Sequence, residues 1–241
     1  DVSPGLTMRQ LAWAHDWHIR EEGYTAAHAI LVNAQRQLPL AGLWGDGTTS
    51  SSDGQYFPAG GHAEAIGDLN ARYGPNPGAK FYRFTSDQYG AFHIIAMNAN
   101  ASEAIYVLDG LLYHGSDLAI ETHYVDTGGV SDMSFALCHL VGFQLVPRLR
   151  GLKDRKLYLF PGETKNENLA SLVGEPINVE RIKANWNDIL RLVTTIRSGQ
   201  VRPSTLLAKL SAFPRQNGLA LALRDIGRIN RSIFLPQWWQ N

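Results

Sequence analysis

The stretch E-T-H-Y-V-D-T-G-G, residues 121–129, decides how this chain folds. Glu121 to Val125 has the character of a strand, and it stops at Asp126-Thr127-Gly128-Gly129, where small, turn-forming residues take over. A carboxylate is therefore expected to emerge at the end of a strand. Upstream, S-S-S-D-G-Q at residues 50–55 sets Asp53 among serines and a glycine that leave room for a ligand. If the two segments are neighbouring strands, the carboxylates of Asp53 and Asp126 converge.

The rest of the order is read around these two points. Lys80 to Thr85 and Phe92 to Met97 are strand-like runs. Glu103 to Tyr113 is expected as a helix, as is Ser131 to Val141, which opens on a Ser-Asp cap. Phe143 to Leu149 reads as a further strand. Strand, strand, strand, helix, strand, helix, strand is the order of a ribonuclease-H-like α/β core. Before it, Thr7 to Arg36 reads as helical with an interruption near Gly23, and Leu38-Pro39 ends it. Pro58 to Gly78 is expected as a loop or insertion.

Downstream of the core, Ile182, Trp186, Ile189, Leu190, Val193 and Ile196 make one apolar helical stripe capped by Asn178 and stopped at Ser198-Gly199. Pro203 starts a second helix and Leu219 to Phe234 forms a third. The expected organisation is an N-terminal helical segment (1–40), a catalytic core (41–156) and a helical insertion (157–241). Most of the six tryptophans are assigned to the core, with Trp44 a candidate for the rim of the site.

Composition sets the class. The 241 residues are 44% hydrophobic and 18% charged, which suits a packed globular chain. Cys138 is the one cysteine, so there is no internal disulfide, and a reducing cytoplasmic setting is expected. No apolar run reaches the roughly 20 residues of a membrane helix, and no signal peptide is visible. Lys plus Arg and Asp plus Glu both number 22, but they are unevenly spread. Asp46 to Asp126 holds ten acidic and three basic residues, while Arg197 to Asn241 holds seven basic and one acidic. Arg148 to Lys156 adds five basic residues and one acidic. An acidic middle with basic flanks suits a metal site set in a phosphate-binding surface.

Two carboxylates about 4 Å apart repel by roughly 4 kcal/mol at an effective dielectric of about 20. A divalent cation removes that conflict. Magnesium favours a few hard oxygen ligands, with water and phosphate completing its shell. A pair of such ions activates a hydroxyl and stabilises the leaving oxygen of an in-line displacement. Asp46, in G-D-G-T-T, is a rival to Asp53 for the first position, although an Asp-Gly pair is usually a turn. The histidines show no zinc-ligand spacing. Phosphate-loop and serine-hydrolase motifs are both absent.

Several blocks carry a family resemblance: L-W-G-D-G-T-T-S-S-S-D-G-Q, S-D-Q-Y, Y-V-L-D-G-L-L-Y-H, H-Y-V-D-T-G-G, P-R-L-R-G-L-K-D-R-K-L-Y and P-R-Q-N-G-L-A-L-A-L-R-D-I-G-R-I. From about Gln10 to Trp239 the chain resembles the catalytic domain of the Tn-three-type replicative DDE transposases. The resemblance implies a ribonuclease-H-like fold whose two aspartates and glutamate bind Mg2+, with Mn2+ able to substitute. It implies 3′-end cleavage at transposon inverted repeats and strand transfer to target DNA, by a homodimer in the full-length protein, in the bacterial cytoplasm on the nucleoid. By motif, Asp53 matches the first aspartate and Asp126 the second. Arg148, Arg150, Lys153, Arg215, Arg224 and Arg228 are the expected DNA contacts.

The family's glutamate lies in a later block of the type L-N-K-G-E-A-R-N, expected beyond Asn241. Glu163, Glu167, Glu175 and Glu180 match no such context. The family's R-I-E-R also reads Arg228-Ile229-Asn230-Arg231 here. The chain alone is thus expected to bind metal poorly and to cut little. The alternatives are a non-catalytic DNA-binding or self-associating remnant, and an unrelated magnesium-dependent phosphohydrolase.

Overall fold

Burial alternates along the strands of the sheet. In the computed structural model, which describes residues 4–58, 70–151, 154–163, 167–212 and 217–240, five strands pair in one layer. They are β1 (Thr49–Pro58), β2 (Gly78–Ser86), β3 (Ala91–Met97), β4 (Thr122–Val125) and β5 (Gln144–Pro147). Their spatial order is β3-β2-β1-β4-β5. The β1–β2 and β2–β3 pairs are antiparallel, whereas β1–β4 and β4–β5 are parallel. β2 alone therefore runs against the other four.

Side chains on successive strand residues face opposite ways, and the two faces differ sharply here. Ser50, Ser52, Tyr82, Phe84, Ile95, His123, Val125 and Leu145 are buried on one face. Asp53, Arg83, Ile94 and Tyr124 are exposed on the other.

The buried face is covered by helices: α3 (Val107–Leu112), α4 (Asp132–Val141), α6 (Trp186–Arg197), α7 (Pro203–Ala212) and α8 (Gly218–Gln240). α1 (Met8–His18) and α2 (Glu21–Arg36) precede the sheet, and α5 (Val179–Ala184) runs into α6. A single apolar cluster joins Tyr82 and Phe84 of the sheet to Leu108, Leu137, Ile189, Leu207, Leu223 and Leu235 of the helices. The helices beyond residue 157 thus share the core of the sheet. Cys138 lies in that core, its thiol pushed up to about 12 by burial.

α4 starts as expected at Ser131, whose hydroxyl accepts from Ser134 N at 3.0 Å in a reciprocal capping box. It ends at Gly142, at φ 103°, a left-handed cap that glycine adopts without steric cost. α8 lies along α4, and a methyl at Gly227 would overlap the carbonyl of Asp132. Glycine is what allows that approach.

Several expectations are corrected. The N-terminal helix breaks at Ile19-Arg20, and Gly23 sits inside α2. Residues 103–113 divide into a short 3-10 turn and α3. The stripe over residues 182–196 is two helices, because the chain turns at Asn185, whose side chain donates to the carbonyl of Arg181. α8 runs past Phe234 and carries Pro236 inside it. Most of the tryptophans are not core residues: Trp13, Trp17, Trp44, Trp186 and Trp239 are exposed, since the interior is filled mainly by aliphatic and phenylalanine side chains and α1 buries none of its residues, while Trp238 is half-buried and packs against the core. Part of the expected 58–78 loop, residues 59–69, falls outside the described residues. Among those described, no helix is long and apolar enough to cross a membrane.

Candidate active site

Strand register brings Asp53 and Asp126 together. Ser52 of β1 is the parallel partner of Val125 of β4; Asp53 comes next within β1, and Asp126 is the first residue past the end of β4. Both leave the buried face one step after these partners, so both open onto the exposed face, on strands about 4.8 Å apart. They line one groove of about 930 Å³, with Ser51, Gln55, Arg83, Tyr124, Gln144 and Arg148 beside them and Phe234, Gln237 and Trp238 of α8 at its side. Asp53 Oδ1 accepts from Gly54 N at 2.8 Å. Among the described residues, no ion pair ties up either carboxylate.

Asp46 takes no part in this groove. Its Oδ1 accepts from Thr48 N at 3.0 Å and Thr48 Oγ1 at 2.6 Å, a local turn, and the Thr48 hydroxyl holds its carboxyl below the usual range. It precedes Thr49, which is itself four residues, or about 13 Å of strand, back from Asp53.

Beneath the aspartates the buried face carries a polar chain that sequence reading missed. His123 is fully buried, with Nδ1 2.7 Å from Ser50 Oγ and Nε2 2.8 Å from Ser52 Oγ. Ser52 Oγ donates to Tyr82 Oη at 2.6 Å. With its proton given to Tyr82, Ser52 accepts from Nε2–H, and Ser50 donates to Nδ1; each polar atom of the imidazole is then satisfied. Burial lowers the His123 pKa to about 3 and raises that of the Tyr82 phenol. The imidazole is therefore neutral and structural: it holds β1 to β4 directly behind the two carboxylates. Two serines at alternate positions facing a histidine on another strand were the available signal.

A second missed feature is the Lys80–Glu103 ion pair, about nine-tenths buried. A side chain at Gly54 would strike both partners, and Glu103 also lies close to Gly128. The pair therefore packs beneath the residue that follows Asp53 and beside the turn that follows Asp126.

The expected basic contacts separate into four groups. Arg148 lines the groove, with its backbone N donating to Val125 O at 2.8 Å, and it has no ion pair among the described residues. Arg150 is exposed and Arg224 half-buried, and neither lines the groove. Arg228 is turned inward: it lies within 3.8 Å of Asp132 and 3.7 Å of Asp225 and over the Tyr158 ring, so its charge is already engaged. Lys153 and Arg215 lie outside the described residues. Trp44 is packed edge-on against Tyr89 away from the groove.

The donor set can be tested for a cation. Among the described residues, no three His, Cys, Asp or Glu side chains group as a metal site. Two adjacent hard carboxylates without an internal counter-ion still fit magnesium, which draws much of its shell from water and phosphate.

Comparison with known proteins adds the context. The Tn3 transposase DDE domain family matches residues 1–241. The chain is 52% identical over its full length to the transposase for transposon Tn501 of Pseudomonas aeruginosa, and covers 24% of that protein. It is 49% identical over 98% of its length to the transposase for transposon Tn21 of Escherichia coli, again covering 24% of it. Identity to the transposase for transposon gamma-delta of Escherichia coli strain K12 is 31%, over 96% of this chain and 23% of the relative. The chain thus spans about a quarter of the length of these curated relatives.

Proposed function

The chain belongs to the Tn3 transposase DDE domain family, and on that premise we propose that its groove is the phosphodiester-processing site of a DNA transposase. The observation that carries this reading is the adjacency of Asp53, in the middle of β1, and Asp126, just past the end of the neighbouring parallel strand β4, both open to one groove. The strand order, with β2 alone reversed, supports a ribonuclease-H-like core. The substrate is DNA at transposon ends, cut to free a 3′ end that is then joined to target DNA, by a dimer of the complete protein.

Asp53 and Asp126 are the residues that would hold magnesium or manganese. When bound, the cations supply Lewis-acid activation of the attacking and leaving oxygens. The protein's own part is positional. The Ser50–His123–Ser52 bonds fix the registry of β1 and β4, and with it the separation of the carboxylates. The groove presents the phosphate to them, and Trp238 and Tyr124 supply apolar and ring surface at its walls.

The test is nicking of inverted-repeat DNA by the complete protein with Mg2+ or Mn2+. Asp53→Ala and Asp126→Ala should each lower cleavage by at least 10³-fold, on the order expected when charge stabilisation at the reacting phosphate is removed. Their thermal midpoints should stay near wild type, because both side chains are exposed. Cleavage retained by Asp126→Ala would end this reading. A second reading, DNA binding without cutting, is favoured by the lack of a three-residue metal group among the described residues. It requires a wild-type protein that binds the repeat DNA and does not nick it with either metal.

A further inference from the structure

The exposed face of the sheet carries a row of four charges at one level. Arg83 of β2 is the antiparallel partner of Asp53 on β1. Asp126 follows Val125, whose partners are Ser52 on one side and Pro147 on the other. Arg148 follows Pro147 and is tied to β4 through Val125 O. Read across β2, β1, β4 and β5, the row is Arg83, Asp53, Asp126, Arg148: positive, negative, negative, positive. All four line the same groove.

The two cations differ from their neighbours. Lys80, three residues before Arg83, is neutralised by Glu103 in the buried layer. Arg181, Arg228 and Arg231 are paired with Asp225 or Asp132. Arg83 and Arg148 are exposed and, among the described residues, have no ion-pair partner, although an aspartate stands beside Arg83 in the register. Three inter-strand steps separate their backbones, about 14 Å. One phosphate can sit over the aspartates between them.

We propose that Arg83 and Arg148 form a two-point bracket for the sugar–phosphate backbone, each taking a phosphate on one side of the phosphodiester presented to Asp53 and Asp126. Arg83 is thereby a substrate-positioning residue. A planar guanidinium suits this task because it grips two phosphate oxygens at once. The bracket fixes which bond lies over the carboxylates, and so sets the register of the cut. This inference rests on the phosphodiester-processing role of the groove.

The experiment uses the complete protein and end-sequence oligonucleotides in which one phosphate at a time is replaced by a neutral methylphosphonate. Binding is measured by fluorescence anisotropy, and cleavage is mapped at nucleotide resolution. Wild type should lose affinity at two positions, one on each side of the scissile bond. Arg83→Gln should become insensitive at one of them and Arg148→Gln at the other. Each variant should lower the log–log salt slope by about 0.7 to 0.9, the value of one phosphate contact. Arg83→Gln should also lower kcat/KM about tenfold or more and blur the cut site, since small misplacements are costly. Arg83→Lys should restore the salt slope without restoring the sharp cut, an outcome that loss of folding cannot imitate.

If Arg83→Gln keeps the wild-type methylphosphonate pattern while Asp126→Ala abolishes cleavage, the bracket is wrong and the site stands. If both arginine variants lose the same phosphate, the bracket is also wrong. Cleavage by Asp126→Ala would overturn the site reading itself, whatever the arginines do.

Discussion

His123 shows how one residue carries consequences beyond its own contacts. Its pKa falls from 6.5 to about 3 because burial disfavours the charged ring. The unfolded chain therefore binds a proton below about pH 6.5 that the folded chain refuses until about pH 3. Stability from this site is fully present above pH 6.5 and is lost as the pH falls through that window. Between pH 7 and pH 5 the loss is about 2 kcal/mol from this residue alone. His93, lowered to about 4 chiefly by burial, acts in the same direction. Urea midpoints measured from pH 7 to pH 5 should fall steeply in wild type and less steeply in His123→Gln. Equal slopes would show that His123 titrates normally in the folded state. At this scale the sequence told half of the story: Asp126 stood out because a strand stops at it, and Asp53 because its serine and glycine neighbours are small, although β1 runs on through it to Pro58. Arg83 was not, because it reads as an ordinary polar alternation in K-F-Y-R-F-T. Arg228, expected as a DNA contact, is held between Asp225, three residues before it, and Asp132, nearly a hundred residues away, and periodicity does not show that this helix face is turned inward.

Among the elements, the pairing of α8 with α4 bears most directly on the groove, since Phe234, Gln237 and Trp238 of α8 form its side. Gly227 lets the helices touch, while Arg231 reaches Asp132 at 2.5 Å and Arg181 reaches Asp225 at 2.7 Å. Gly227→Ala should push α8 away from α4 and cost about 1–3 kcal/mol, the usual range for overpacking a tight contact. Chemical denaturation checks it; a variant as stable as wild type would mean the helices give way freely. S-D-Q-Y at residues 86–89 turns β2 into β3, and its Asp87 accepts from Gly47 N while Gln88 donates to Gly45 O. That ties the turn to the W-G-D-G loop. Strands β2 to β5 were legible as short runs rich in aromatic and β-branched residues; the two-residue alternation shows in their burial rather than in their residue types. The break at Asn185 was not, because the apolar stripe continues unbroken through it.

For the whole molecule, the single core has a measurable consequence. The sheet, α4 and the helices from residue 179 onward bury side chains in one cluster, so they should unfold together. Tryptophan fluorescence, which reports partly on Trp186 and Trp238, should give the same urea transition as far-ultraviolet circular dichroism. An earlier fluorescence transition would show that the helical region melts as a separate unit. The expected division at residue 157 followed a change from mixed strand and helix to helix alone. Periodicity can locate that change, but it does not say which apolar faces meet.

The parallel pairing of β1 with β4 has one more result. Asp53 and Asp126 lie 73 positions apart along the polypeptide, and two further strands and a helix intervene. During synthesis, the first aspartate leaves the ribosome long before the second exists. A nascent chain cannot assemble the carboxylate pair until residue 126 has emerged and β4 has docked, so the two side chains first meet only when the middle of the chain is already made.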